Sequence, residues 1–143
     1  MKQLWVINGP NLNTLGSRDS NIYGSHTLAD IETMLTEKAS TYNLSISFFQ
    51  SNSEGDLITK VQSIRSCING LIINPGGLTH TSISLHDALE LLECPIIEVH
   101  LSHIYQRESF RHHSVTAAAC SGQISGLGYH GYLMALEYIA STI

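Results

Sequence analysis

Three short apolar runs in this chain end in side chains that can bind a ligand or move a proton. Asn8-Gly9-Pro10-Asn11 follows the first run, Leu4–Ile7. Asn74-Pro75-Gly76-Gly77, with Thr79-His80-Thr81-Ser82 behind it, follows the second, Gly70–Ile73. His100-Leu101-Ser102 closes the third, Ile96–Val99. These are amides, hydroxyls and imidazoles, with few carboxylates. Such a set hydrogen-bonds a polyhydroxylated or anionic small molecule better than it holds a hard divalent cation. Taken singly, each stretch has a plainer explanation. Asn74-Pro75-Gly76-Gly77 suits a turn whose glycines take positive φ, and before a helix N-terminus it suits an anion cradle equally well. A lone histidine such as His100 is more often packed or solvated than a proton donor. Arg107 and Arg111 are four apart, so a helix would put them on one face, usually a solvated one. Tyr23, in a polar loop, reads by itself as a packing residue.

The elements that would position these groups alternate between strand and helix. Leu4–Asn8, Leu44–Phe49, Gly70–Asn74 and Ile96–His100 read as strands, with a weak fifth over about 120–127. Residues 11–23 read as a long loop. Thr27 opens a helix with Asp30 as its capping-box partner and Leu28, Ile31, Leu35 and Ala39 inward. Ser53 caps a second helix with Leu57, Val61, Ile64 and Ile68 inward. A third runs over about 82–93, and Pro95 ends that connection. A short helix fits 107–113, and Tyr129–Ser141 closes the chain as a helix. Strands one, three and four are apolar throughout, as central strands covered on both faces are. Strict alternation implies a parallel sheet with right-handed crossovers. Five strands suggest the flavodoxin-like order 2-1-3-4-5 in an α/β domain spanning residues 1–143, with helices on both faces. In such a sheet ligands bind beyond the carboxyl ends of the strands, where the three polar stretches fall.

Composition narrows the classes. The chain has 143 residues, 43% hydrophobic and 13% charged, which describes a globular domain rather than disorder. So few charges on a small protein also suggest a homo-oligomer. A net charge of −5, with no basic run, argues against nucleic acid as a partner. Cys67, Cys94 and Cys120 make an odd set without ligand spacing, and read as free buried thiols of a reducing compartment. No stretch is long enough to span a membrane, and Met1-Lys2-Gln3 runs directly into a strand, so a cytoplasmic location is expected. Gly126-Leu127-Gly128-Tyr129-His130-Gly131 matches GxGxxG, but it opens the last helix with no further strand to complete a dinucleotide unit. The histidine pairs lack zinc-ligand partners, and neither a Walker lysine nor a GxSxG elbow occurs.

With those residues assembled, the sequence resembles the type II 3-dehydroquinate dehydratases. Four stretches carry the resemblance from strand one to the last helix. The first is Ile7-Asn8-Gly9-Pro10-Asn11-Leu12-Asn13 with Leu15-Gly16, Arg18 and Tyr23-Gly24. The second is Asn74-Pro75-Gly76-Gly77-Leu78-Thr79-His80-Thr81-Ser82 with Asp87-Ala88. The third is Glu98-Val99-His100-Leu101-Ser102 with Arg107-Glu108 and Phe110-Arg111, and the fourth is Gly126-Leu127-Gly128 with Gly131-Tyr132. The chain departs from the usual family pattern at His103, Tyr105 and His86, which flank the matched positions.

The resemblance implies a flavodoxin-like fold, a dodecamer of four trimers, and elimination of water from 3-dehydroquinate through an enolate, without a cofactor or metal. It implies Tyr23 as base and His100 as acid. An ordinary phenol titrates near 10, so a base at neutral pH needs help, and Arg18 on the same loop is the implied activator. Asn11 is implied to hold a water on the enolate oxygen. Asn74 with the backbone amides of Leu101 and Ser102 is implied to take the carboxylate, and His80 and Arg111 the ring hydroxyls. Asp87 is implied to reach a neighbouring subunit's site, and Arg107 to support the lid or the base. Glu98 is placed on the opposite strand face from His100, which leaves an orienting role for it open. The other known route to this product, through an imine, needs a pocket lysine. Lys2, Lys38 and Lys60 all lie away from the strands' carboxyl edge. The competing reading is a flavodoxin-like binding module without chemistry.

Overall fold

The computed structural model describes residues 1–143. Five strands form one parallel sheet in the order β2-β1-β3-β4-β5. They are β1 (Lys2–Asn8), β2 (Leu44–Gln50), β3 (Gly70–Asn74), β4 (Ile96–His100) and β5 (Gly122–Ser125). The switch in strand order falls between β1 and β3, whose register pairs Asn8 with Asn74. β3 and β4 are buried along their whole length, as their continuous apolar runs require.

Successive strand residues face opposite sides of the sheet, so the core divides into two layers. Leu4, Val6, Ile72, Ile97 and Val99 pack against α2 (Leu28–Thr41) and α5 (His130–Thr142). Ile7, Leu71, Ile73 and Ile96 pack against α3 (Glu54–Ile64) and α4 (Ile83–Leu89). Caps hold the helix starts. The Thr27 hydroxyl accepts from the Asp30 N–H while the Asp30 carboxylate accepts from the Thr27 N–H, as the sequence predicts. Ser53 and Ser82 cap α3 and α4 with their hydroxyls alone, which accept from the Asp56 and Leu85 N–H.

Several boundaries differ from the sequence reading. The 11–23 loop carries a 3₁₀ turn at Leu12–Thr14 and a one-turn helix, α1 (Ser20–Tyr23), which Asp19 caps. α4 stops at Leu89, because Leu91 and Leu92 bond three residues back and tighten the chain toward Pro95. The helix expected over 107–113 is only a 3₁₀ turn, Ser109–Arg111, so helical spacing is not what brings Arg107 and Arg111 together. The cysteines are free but not buried: Cys67 is exposed, and Cys94 and Cys120 are half-buried. No helix is long and apolar enough to cross a membrane.

Candidate active site

A cleft of about 210 Å³ opens at the carboxyl edge of the sheet, beside the strand-order switch. Each wall comes from a strand end or the loop after it. β1 leads to Pro10, Asn11 and Leu12, and the following loop supplies Arg18 and Tyr23. β3 supplies Asn74 and leads to Gly76, Gly77 and His80. β4 supplies His100 and leads to Leu101, Ser102, Ile104, Arg107 and Arg111. Every residue to which the resemblance gives a site role lines this cleft except Asp87, which sits exposed on α4.

Local backbone geometry explains the close convergence. Gly9 donates its N–H to the Asn74 carbonyl at 2.7 Å, and a Cβ there would lie 2.3 Å from the Pro75 carbonyl oxygen. Only glycine lets the two strand exits approach so closely. Asn11 adopts φ 71°, an uncommon left-handed conformation for a residue with a side chain, and its N–H donates to the side-chain Oδ1 of Asn52 at 2.9 Å.

Charge in the cleft is one-sided. Arg18, Arg107 and Arg111 line it and no carboxylate does, although the chain carries net −5. Arg107 donates through Nη2 to the Tyr23 phenol oxygen at 2.8 Å and through Nη1 to the Ser102 hydroxyl at 3.2 Å. Arg18 lies over the Tyr23 ring, 3.7 Å from its centre. The guanidinium on the phenol oxygen is therefore that of Arg107, while Arg18 covers the ring face. Arg111 is held by Glu108 at 2.5 Å, and that bond lowers the Glu108 carboxyl from its ordinary value.

His100 is held from behind by Glu98, whose carboxylate lies 2.9 Å from Nε2. The expectation that Glu98 faces away is wrong: residues two apart on a strand share a face, and here both project toward the α3 and α4 side. Glu98 is fully buried and also accepts from Ser114 and Gln123 at 2.9 Å each, and from Thr116. Burial pushes its carboxyl up, but the bonds from His100, Gln123 and Thr116 outweigh burial and hold it at about 2. An ionised carboxylate can only accept, so His100 Nε2 carries the proton of that bond and Nδ1 is the ring atom left for other partners. His80 is oriented similarly, with Nδ1 donating to the His113 carbonyl at 2.8 Å and Nε2 left over.

Asn74 is fixed from two sides. Its Oδ1 accepts from the Gly76 N–H at 3.0 Å and its Nδ2 donates to the Tyr132 hydroxyl at 3.0 Å. Ser114, Thr116 and Gln123 escaped the sequence reading, and Tyr132, quoted among the residues that carry the resemblance, was given no role. The two-residue spacing could have exposed Glu98, but no sequence signal pointed to the other three.

With two histidines but neither thiolate nor carboxylate among its lining residues, the cleft offers no good ligand set for a metal. One trio elsewhere, His86, Asp87 and Glu90, brings ligand atoms within 4.8 Å of one another on the exposed side of α4. In the GxGxxG stretch, the Gly126 and Gly128 N–H groups donate to the carbonyls of His100 and Leu101. Gly131 packs so closely on Val99 and Ile124 that an added Cβ would lie 3.2 and 3.3 Å from them. Those glycines brace the β4 exit rather than form a nucleotide loop.

Fold and cleft together define a flavodoxin-like α/β protein with a phenol, two imidazoles and three guanidinium groups gathered at the carboxyl edge of its sheet. The model of the class II dehydroquinase family matches residues 2–140. The chain is 56% identical over 136 residues to the 3-dehydroquinate dehydratase of Herpetosiphon aurantiacus, covering 95% of this chain and 94% of that one. It is 48% identical over 136 residues to the Bacillus cereus enzyme of the same name, covering 95% and 93%. The crystal structure of a type II dehydroquinase from Butyrivibrio crossotus superposes with a TM-score of 0.94 at 43% identity, covering 96% of this chain and 97% of that one. That of the Propionibacterium acnes enzyme superposes with a TM-score of 0.95 at 40% identity, covering 99% and 97%. The chain belongs to the class II dehydroquinase family.

Proposed function

We propose that this chain eliminates water from 3-dehydroquinate to give 3-dehydroshikimate, acting as a hydro-lyase through an enolate. The observation that carries the proposal is the pairing of a guanidinium-bound phenol with a carboxylate-held imidazole around one cationic cleft. Tyr23 as phenolate takes the proton from the carbon beside the ketone. The C–H electron pair becomes the enolate, and Asn11 holds a water against its oxygen. The enolate then collapses: the carbonyl re-forms, a carbon–carbon double bond forms, and the hydroxyl one carbon further on departs. Hydroxide is a poor leaving group, so His100, as imidazolium, donates its Nδ1 proton and water leaves. A proton passing from Tyr23 back to His100 by way of solvent resets the site.

The guanidinium of Arg107 stabilises negative charge on the phenol oxygen, and Arg18 stabilises it through the ring and closes the loop over substrate. Asn74 with the amides of Leu101 and Ser102 takes the substrate carboxylate, and His80 and Arg111 take ring hydroxyls. The absence of carboxylate walls favours this anion. Asp87 serves a neighbouring subunit's site within a trimer, four of which form a dodecamer. The enzyme works in the cytoplasm on 3-dehydroquinate alone, without cofactor, nucleic acid or membrane.

The test is the growth of product absorbance on adding 3-dehydroquinate, comparing wild type with Tyr23→Phe. Turnover is expected without added metal or nucleotide, with near-complete loss in the variant. Wild-type rates from Tyr23→Phe would remove Tyr23 as the base.

A further inference from the structure

Tyr132 is fully buried on α5, yet its hydroxyl is spent on the edge of the cleft. It donates to Asn8 Oδ1 at 2.6 Å and accepts from Asn74 Nδ2 at 3.0 Å. Asn8 and Asn74 are register partners on β1 and β3, so their side chains leave the same face of the sheet, the face that α5 covers. Asn74 is the member of the three that lines the cleft.

The direction of each bond in this chain is determined. The Gly76 N–H can only donate, so the atom of Asn74 it meets at 3.0 Å is the carbonyl oxygen. The amide nitrogen therefore faces Tyr132, whose oxygen accepts and whose hydrogen goes on to Asn8. One N–H of the Asn74 amide is used there and the other is left for the cleft. Burial pushes the Tyr132 phenol far above its ordinary value, so the hydroxyl keeps its hydrogen throughout the working pH range.

We propose that Tyr132 is a positioning residue for substrate: its hydroxyl, bridging Asn8 and Asn74, locks the Asn74 amide with an N–H turned toward the substrate's carboxylate. This rests on the reading of Asn74 as a carboxylate-binding residue. A phenylalanine would fill the same space in the α5 layer but would leave the Asn74 nitrogen without its acceptor. The amide would then be held on one side only, by the Gly76 N–H on its oxygen, and would rock about that bond, moving its free N–H off line.

The carboxylate is attached to the carbon that loses the hydroxyl but carries the same charge in substrate and transition state, so the lost contact acts on both nearly alike. Tyr132→Phe should raise KM about tenfold, the size of one well-made hydrogen bond to an anion, and change kcat less than about threefold. Asn74→Ala should raise KM on its own, and in that background Tyr132→Phe should add less than about twofold. Asn8→Ala, which removes the chain's far acceptor, reads the same lock without touching Tyr132 and should raise KM in the same sense. Thermal melting and gel filtration of each variant establish that it is folded. An unchanged KM in folded Tyr132→Phe overturns the proposal, as does the same fold-change with and without Asn74. If Tyr132→Phe fails to fold, an unchanged KM in Asn8→Ala overturns it. If Asn74→Ala leaves KM unchanged, the reading of Asn74 falls and the proposal falls with it. A raised KM in Asn74→Ala beside a silent Tyr132→Phe sinks the proposal alone.

Discussion

Glu98→Gln separates the charge behind His100 from its shape. The glutamine can keep its oxygen where His100, Ser114 and Gln123 now donate, and put its NH₂ where Thr116 donates. Thr116 can then accept and turn its own hydrogen to Thr79 at 2.7 Å. Packing and most hydrogen bonds survive, and the negative charge is lost. The folded carboxyl lies at about 2 against an ordinary value of 4.5. Between those two values the unfolded chain binds more protons than the folded one, so stability rises with pH there. The contribution is complete above about pH 5 and is lost as pH falls toward 2. That gap corresponds to about 3 kcal/mol. Urea denaturation at fixed protein concentration, repeated from pH 7 to pH 2, measures it. Wild type should lose about 3 kcal/mol more than Glu98→Gln over this range. The exposed carboxyls Asp30 and Glu108, also lowered, titrate equally in both proteins and cancel. The same variant should lose kcat, by less than the roughly 10²- to 10⁴-fold of removing the acid itself. Parallel stability curves from pH 5 to 2 would refute the reasoning, because a carboxylate not held ionised by its neighbours would have nothing to lose.

Gly9→Ala forces a methyl group against the Pro75 backbone oxygen, which cannot swing aside, and should cost roughly 1–3 kcal/mol or more in urea denaturation. Cys120, pushed up to about 12 by burial and by the nearby Glu98 charge, should resist iodoacetamide at pH 8, while exposed Cys67 is alkylated first, as mass spectrometry of the peptides would read. If Asp87 serves a neighbour's site, Tyr23→Phe and Asp87→Ala chains co-assembled in one oligomer should recover activity above either alone. No recovery in verified mixed oligomers would return Asp87 to its own subunit.

The fold was legible because its signals are local and repeated. β3 and β4 lie where their apolar runs end, and the Thr27–Asp30 capping box forms as its spacing predicts. Placing Asn74 and His100 at one edge followed from topology alone. What stayed hidden depends on contacts between distant residues. Arg107 reaches Tyr23 across 84 residues, a support for the base or lid that only the resemblance implied, and Tyr132 reaches Asn8 across 124, and no period or spacing encodes either bond. The basic pair Arg107 and Arg111 was grouped on helical spacing, yet Arg107 lies before the 3₁₀ turn Ser109–Arg111 and both reach the cleft without an α-helix. Glu98 was misplaced through an error of parity, although the two-residue spacing alone puts it beside His100.

The two layers of the core account for how the cleft keeps its shape. Asn74 leaves the sheet on the face covered by α2 and α5, and its anchor, Tyr132, comes from α5. His100 leaves on the face covered by α3 and α4, and its anchor, Glu98, is buried on that face. Because strand residues alternate faces, adjacent central strands can deliver an amide and an imidazole to one rim while each is held from its own side of the sheet. Each anchor is a buried polar group whose bonds would be costly to leave unmade, so each side chain keeps one orientation before substrate arrives. Tyr23 has no such anchor in either layer. It ends the one-turn helix α1, and although its ring packs partly buried against the α2 and α5 layer, its hydroxyl is held by Arg107 alone. The proposed base is thus fixed at its oxygen by a loop arginine, while the amide and the imidazole are fixed by buried polar groups of the core.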